Sequence, residues 1–233
     1  MTHGRSLYYN PRWEALFLPF REESIAMTNE QERPYVGLDA ARRQLENAML
    51  SGDRGRAEAI LRSTDIRLAA GWKDELLTAL TADCLEGRIP FSQLTAAAQV
   101  ACLFFDDQAP PVACCGAIAG NTSATGRDFM LMLLRAWGVP TLDLGLDVPE
   151  RAFLSAVTEH GVRFVVCAVF SRADLERVRR LDRQSRALGI RDRFHLLVSG
   201  AQMDHGEGSL LPSDFSDHRA AAVAEWVVRK WKA

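Results

Sequence analysis

The chain has no apolar run approaching the roughly 18 residues that cross a bilayer, so its pattern contains no spanning helix. Its start, Met1-Thr-His-Gly-Arg-Ser-Leu-Tyr-Tyr, lacks the apolar centre of a secretory leader, and a cytoplasmic protein is expected. A surplus of positive charge is missing as well. The 233 residues hold 28 Lys and Arg against 30 Asp and Glu, a net charge of −2. That balance gives no bulk attraction to polyanions and argues against direct nucleic-acid binding. There is no Cys-x-x-Cys, and the five cysteines (Cys84, Cys102, Cys114, Cys115 and Cys167) cannot all pair with one another. Most lie in apolar stretches such as Val112-Ala-Cys-Cys-Gly-Ala-Ile118 and read as small buried hydrophobes in a reducing compartment. Gly116-Ala-Ile-Ala-Gly120 does not complete a Gly-x-Gly-x-x-Gly turn, and no phosphate loop, Ser-His-Asp set or paired metal motif stands out. The chain is therefore expected not to be an enzyme on its own.

What the chain does contain is ordinary globular material: 48% hydrophobic and 25% charged residues, enough to bury a core and to exclude disorder throughout. Three zones separate by pattern. Residues 1–36 mix Tyr8, Tyr9, Trp13, Phe17 and Phe20 with Pro11, Pro19 and Pro34, without sustained periodicity. They read as an irregular arm that docks on the rest of the chain or on a partner. Residues 37–108 are helical. Ala41, Leu45, Ala48 and Met49 share one face, and Ala57, Ile60 and Leu61 follow after Ser51-Gly-Asp53. Trp72, Leu76, Leu77 and Leu80 make a third segment. A fourth runs from Ser92, an expected N-cap, through Leu94, Ala98 and Cys102 to Phe105. Four short helices with brief connections predict a small bundle, joined by the proline-stiffened Asp106-Asp-Gln-Ala-Pro-Pro111 to the last zone.

Residues 109–233 alternate strand and helix. Strands are expected at 112–118, 141–146, 164–170 and 194–198, and helices around 129–137, after Pro149, over 173–188 and over 217–230. Continuous apolar strands imply burial on both faces, hence a parallel sheet between helix layers. The expected fold is α/β: a four-helix bundle followed by a flavodoxin-like doubly wound sheet of order 2-1-3-4-5. Ligands of such sheets sit at the carboxyl ends of the strands, which singles out the loops at 119–126, 169–172 and 199–207.

Those loops carry a pattern. Asn121, Ser123 and Gly126 follow the first strand; 41 residues then separate Gly126 from Ala168, and Phe170 stands two further on. Another 28 residues lead from Phe170 to Ser199-Gly200. At this spacing the chain resembles the cobalamin-binding (corrinoid) proteins, whose corresponding positions read Asp-x-His-x-x-Gly, Ser-x-Leu and Gly-Gly. Asp143-Leu-Gly-Leu-Asp-Val-Pro149 is similar to that family's second strand and helix entry, and the resemblance runs from Leu38 to the C-terminal residue. It implies a bundle capping a cobalamin domain and a cofactor site at Asn121, Ser123, Gly126, Ala168, Phe170, Ser199 and Gly200. The family's histidine coordinates cobalt and its aspartate orients the imidazole; here those positions hold Ser123 and Asn121, and a hydroxyl is a poor substitute donor for such a metal. Ala168 loses the serine's hydrogen bond to the nucleotide tail. Phe170 is expected to fill part of the tail channel, and Ser199 adds a side chain where a glycine normally allows close approach. Only Gly126 and Gly200 are retained. On the upper face, where related sensors use a tryptophan and a Glu-His pair near Gly-x-Ile, the chain has Gly87-Arg-Ile89 with Cys84 and Leu94-Thr95.

The expectation that follows is a regulatory or interaction protein on a cobalamin-domain scaffold, binding cobalamin or haem weakly or not at all. It is similar in layout to the antirepressors of photosystem genes in purple bacteria, and a transcription factor is the expected partner. The alternative is a corrinoid protein that holds cobalamin without a protein lower ligand and serves a methyltransferase. His205, in Gln202-Met-Asp-His-Gly-Glu207, is the candidate substitute axial ligand, a solvated loop histidine being the other reading. His195 reads as a core or edge histidine, His160 as a partner of a helix C-terminus, and His3 and His218 as surface residues. Cys114 and Cys115 should point to opposite faces of their strand, with thiolate ligation of haem by Cys115 the sharper alternative to simple packing. The Arg-rich run 172–186 reads as a solvated helix face, with nucleic-acid contact the sharper alternative.

Overall fold

A computed structural model of the chain describes residues 35–106, 108–200 and 211–233, with side chains from residue 38. The expected arm, His3, and the loop bearing His205 lie outside the described residues. Four helices come first: α1 (Tyr35–Ser51), α2 (Arg54–Ser63), α3 (Ile66–Leu85) and α4 (Phe91–Ala101), the last running into a short 3-10 turn (Cys102–Phe104). Local chemistry sets their starts. Asp53 caps α2 by accepting from the Arg56 N–H at 2.9 Å, and Asp65 caps α3 by accepting from the N–H groups of Arg67 and Leu68. At α4 the expectation fails by two residues: Pro90 occupies the cap and Ser92 is already helical. The ring of Pro90 sets φ to −70° at the entry and no side-chain cap is used there.

The second half contains β1 (Ala113–Ile118), α5 (Ala124–Ala136), β2 (Thr141–Val148), α6 (Glu150–His160), β3 (Phe164–Ala168), α7 (Arg172–Ala187), β4 (His195–Ser199), β5 (Phe215–Asp217) and α8 (Ala220–Lys232). The five strands are all parallel and ordered β2-β1-β3-β4-β5. Every residue of β1 and β3 is buried, as the continuous apolar runs predict. A fifth strand lies outside the expected set: three residues with one apolar side chain carry no strand signal, yet Asp217, expected to open the final helix, pairs with Ser199 and α8 begins only at Ala220. Gly126, expected in a loop, is the third residue of α5.

The two sheet faces bury separate cores. Cys115, Val166 and Leu197 face α5, α8 and the bundle, whose Leu45, Met49, Leu77 and Leu94 belong to the same cluster. Cys114, Val165, Cys167, Leu196 and Val198 face α6 and α7. The expected alternation of Cys114 and Cys115 across the sheet is thus observed, and each fully buried Leu, Ile or Phe of these clusters stabilises the fold by about 1.5–3 kcal/mol. Where bundle meets α5, the Lys73 ammonium is buried and donates to the Ala136 carbonyl at 3.0 Å. Burial pulls its pKa down, opposed by Asp74 at 2.7 Å. None of the described helices is long and apolar enough to cross a membrane.

Candidate functional site

At the carboxyl edge of the sheet, Ala168 of β3 pairs with Ala117 of β1 on one side and with Ser199 of β4 on the other. The chain then leaves each strand into the loops where the motif residues sit. Asn121, Ser123, Gly126, Ala168, Phe170, Ser199 and Gly200 are therefore brought to one edge, each supplied by the end of β1, β3 or β4 or by the helix start that follows.

Asn121 is the centre of this edge. It is buried, its side-chain N–H donates to the Ala168 carbonyl at 3.2 Å, and its side-chain oxygen accepts the Ser123 N–H at 2.9 Å. Because the Ala168 carbonyl can only accept and the Ser123 N–H can only donate, the amide orientation is determined by its partners. Its backbone oxygen also accepts from the Asp147 N–H at 3.1 Å, and the Asp147 carboxylate accepts from the Gly120 N–H at 2.6 Å. The loop after β1 is thereby tied to β2 and β3 through its own groups. An ionised carboxylate at 121 could not donate to Ala168.

Ser123 caps α5 by position but its hydroxyl makes no capping bond. Gly126 is exposed, and a methyl group placed on it would meet nothing within 4 Å. The opposite holds at Gly200. A side-chain carbon there would stand 1.8 Å from the Val169 carbonyl oxygen, and the backbone carries φ +152°. The close approach that resemblance assigns to a ligand is made at this point by the chain itself, with the Val169 N–H donating to the Ser199 carbonyl at 2.9 Å. Phe170 corrects an expectation. Its ring is 63% exposed and does not fill a channel, because its N–H is pinned to the Asp174 carboxylate at 2.7 Å in the Ser171–Asp174 capping box of α7.

The upper-face candidates divide. Leu94 is fully buried in the bundle core and Cys84 is half-buried, while Gly87 turns from α3 toward α4 with φ +74°. His195 is neither in the core nor near the site. It begins β4 at the amino end, exposed, with its ring stacked on Phe164 at 5.6 Å and edge-on to Trp226 at 5.2 Å. His160 ends α6 just before the left-handed Gly161, as expected, and His218 stands 3.5 Å from the Asp217 carboxylate at the surface. Burial pushes the Cys115 thiol up to about 12 and raises Cys114 and Cys167 as well, and all three are fully buried in the two cores. Among the described residues no group of three or more His, Cys, Asp or Glu could hold a metal.

One residue at this edge escaped the sequence reading. Arg177, counted with the solvated face of α7, lays its guanidinium against the β1 loop, 3.4 Å from where a side chain on Gly120 would begin. Nothing in its sequence context distinguishes it from the other arginines of α7. Elsewhere on α7, Asp182 is held by Arg186 and Arg191, both at 2.8 Å. Burial alone would raise its carboxyl, but these two partners outweigh burial and keep it below the usual carboxylate range.

No family model matches the chain. Over 111 residues it is 28% identical to the trimethylamine corrinoid protein of Methanosarcina barkeri, covering 47% of this chain and 51% of that protein. It is 24% identical over 112 residues to trimethylamine corrinoid protein 1 of Methanosarcina acetivorans, covering 48% and 52%. The chain thus spans about half the length of the curated relatives it matches. Among solved structures, a cobalamin-binding protein from Desulfitobacterium hafniense DCB-2 superposes with a TM-score of 0.68 at 16% identity, covering 83% of this chain and 98% of that one. A chain of the methanol:cobalamin methyltransferase complex MtaBC from Methanosarcina barkeri gives 0.65 at 15% identity, covering 96% and 94%. The fold is that of cobalamin-binding domain proteins.

Within that scaffold the described residues fit a corrinoid only in part. The open space beside the exposed Gly126 leaves the first turn of α5 accessible, and Ser123 before it is half-buried. No described residue at the edge offers a nitrogen donor in the histidine's place, and the contact between Gly200 and Val169 closes one approach.

Proposed function

We propose that the chain is a corrinoid-binding protein, without catalysis of its own, that presents its cofactor to a methyl-transferring partner protein and holds cobalt without an imidazole from position 123. The observation that carries this reading is the convergence of Asn121, Gly126, Ala168 and Ser199 on the carboxyl edge of the sheet, in a chain similar over about half its length to trimethylamine corrinoid proteins. Asn121 would keep the β1 loop closed on β3, Gly126 would leave room for the ring, and the exposed Phe170 would offer an apolar surface beside it. Bound there, a corrinoid supplies a cobalt centre that takes up and passes on a methyl group. The chain's own groups at Asn121 and Gly126 would position it, and position 123 would offer it a hydroxyl and not an imidazole.

The reading is tested by equilibrium dialysis of the purified protein against hydroxocobalamin, with haemin in a parallel cell and absorbance as readout. Cobalamin should be retained with a spectrum that lacks protein-imidazole ligation. Ser123→His, made with Asn121 unchanged, should convert that spectrum to the imidazole-bound form. Failure to retain cobalamin, or retention of haemin in its place, refutes the proposal. A cofactor-free regulator of a transcription-factor partner, which gains no support from the relatives described above, is the reading that such a result would favour.

A further inference from the structure

Away from the carboxyl edge, a cavity of about 480 Å³ opens between the bundle and the β2 flank of the sheet. Its size lies in the range of small-molecule sites. One wall is a single face of α5, on which Arg127, Leu131 and Arg135 follow at intervals of four residues. The opposite wall comes from the bundle: Arg54 at the start of α2, with Cys102 and Phe105 at the end of α4. Asp143, in the middle of β2, closes the side, well below the strand ends where Ala168 and Ser199 lie.

The arginines of this cavity are not equally partnered. Arg127 pairs with Asp143 at 2.9 Å and with Asp128 at 3.0 Å. Arg135 has no carboxylate within ion-pair distance among the described residues and lies over the Phe105 ring at 5.4 Å. Arg54 is taken up by Glu58 at 3.3 Å on its own helix, which leaves Arg135 as the guanidinium of this wall without a carboxylate among the described residues. The Nε atoms of both Arg127 and Arg135 are buried without a hydrogen-bond partner. A buried donor without an acceptor is unfavourable, so each side chain gains by turning its N–H edge onto an oxygen that enters the cavity. The guanidinium edge and a carboxylate match as two parallel hydrogen bonds.

We infer that this cavity is a binding site for a small organic monocarboxylate, its oxygens held by Arg127 and Arg135 and its apolar body lying on Phe105, Leu131 and Met132. The one guanidinium without a carboxylate partner, Arg135, suits a monoanion better than a phosphate dianion, and the ring and aliphatic wall suit a ligand with an apolar body. Such a ligand touches bundle and sheet domain together and ties one to the other. The inference is independent of whether the carboxyl edge holds a corrinoid.

Isothermal titration of the purified protein with benzoate at constant ionic strength provides the test, with inorganic phosphate and benzyl alcohol as separate arms. Benzoate should bind saturably with a Kd of about 0.1–1 mM, and the other two probes at least tenfold more weakly. Arg135→Gln should weaken benzoate at least tenfold. Met132→Trp, which fills the cavity and leaves every charge in place, should abolish binding in a protein whose circular dichroism is unchanged. Absence of saturable binding up to about 10 mM benzoate overturns the inference. So does equal binding of phosphate or benzyl alcohol, or benzoate binding that survives both substitutions.

Discussion

The two glycines that the chain shares with the corrinoid motif should respond in opposite directions to the same added methyl group. Gly126 lies in the first turn of α5, where an alanine meets nothing within 4 Å and the backbone is already helical. Gly126→Ala lowers the entropy of the unfolded chain at no steric cost, which is worth about 0.4–1 kcal/mol of stability. Gly200→Ala sets a carbon 1.8 Å from the Val169 carbonyl oxygen, at φ +152°. Backbone strain at positive φ costs about 1–3 kcal/mol and forced overpacking a similar 1–3 kcal/mol, so about 2–6 kcal/mol should be lost. Urea unfolding followed by circular dichroism measures both changes as shifts in midpoint at constant slope. Cobalamin dialysis on the same two proteins then separates stability from function: Gly126→Ala should be the more stable protein and yet the weaker binder, because its methyl group occupies the space proposed for the ring. A destabilised Gly126→Ala, or a Gly200→Ala within about 0.5 kcal/mol of the parent, would refute the assignment of Gly200 to chain packing and of Gly126 to ligand access.

Arg191→Met removes the side chain that joins Asp182 at 2.8 Å to Asp214 at 2.8 Å and to the Phe194 and Pro212 carbonyls. With Asp182 buried and only the exposed Arg186 left to it, the loss should be about 3 kcal/mol in chemical denaturation. The Asp182 carboxyl is depressed in the folded protein, so its contribution is full above the ordinary value of 3.8 and disappears as the pH falls below it. The gap between parent and variant should therefore narrow on acidification, and a gap that is constant with pH contradicts the pairing. A mildly alkaline thiol assay should label the half-buried Cys84 first. Cys102, held up to about 11, should follow more slowly, and Cys114, Cys115 and Cys167 should label only as the protein unfolds. Rapid labelling of five thiols in the native protein would contradict the two-core packing.

The fold was legible because burial writes itself into residue type. The unbroken apolar runs of β1 and β3 announce strands covered on both faces, and the spacing of Leu45, Ala48 and Met49 announces a helix with one buried side. β5 was not legible, since a three-residue edge strand buries too little to constrain its composition. The site was legible in position and illegible in meaning. Spacing located Asn121, Ala168 and Ser199 at a common edge, but only coordinates reveal that Asn121 donates to Ala168 while accepting from Ser123. Those two bonds change how the departures from the motif should be read. An aspartate at 121 needs a donor, which the family's imidazole supplies; an asparagine needs an acceptor, which Ala168 supplies from within the chain. Positions 121 and 123 are consequently coupled: with Asn121 in place the loop after β1 closes on its own backbone. Restoring Asn121→Asp by itself would turn a carboxylate toward the Ala168 carbonyl and leave that acceptor unpaired, a cost of about 1–3 kcal/mol, whereas Ser123→His alone leaves the closed loop intact.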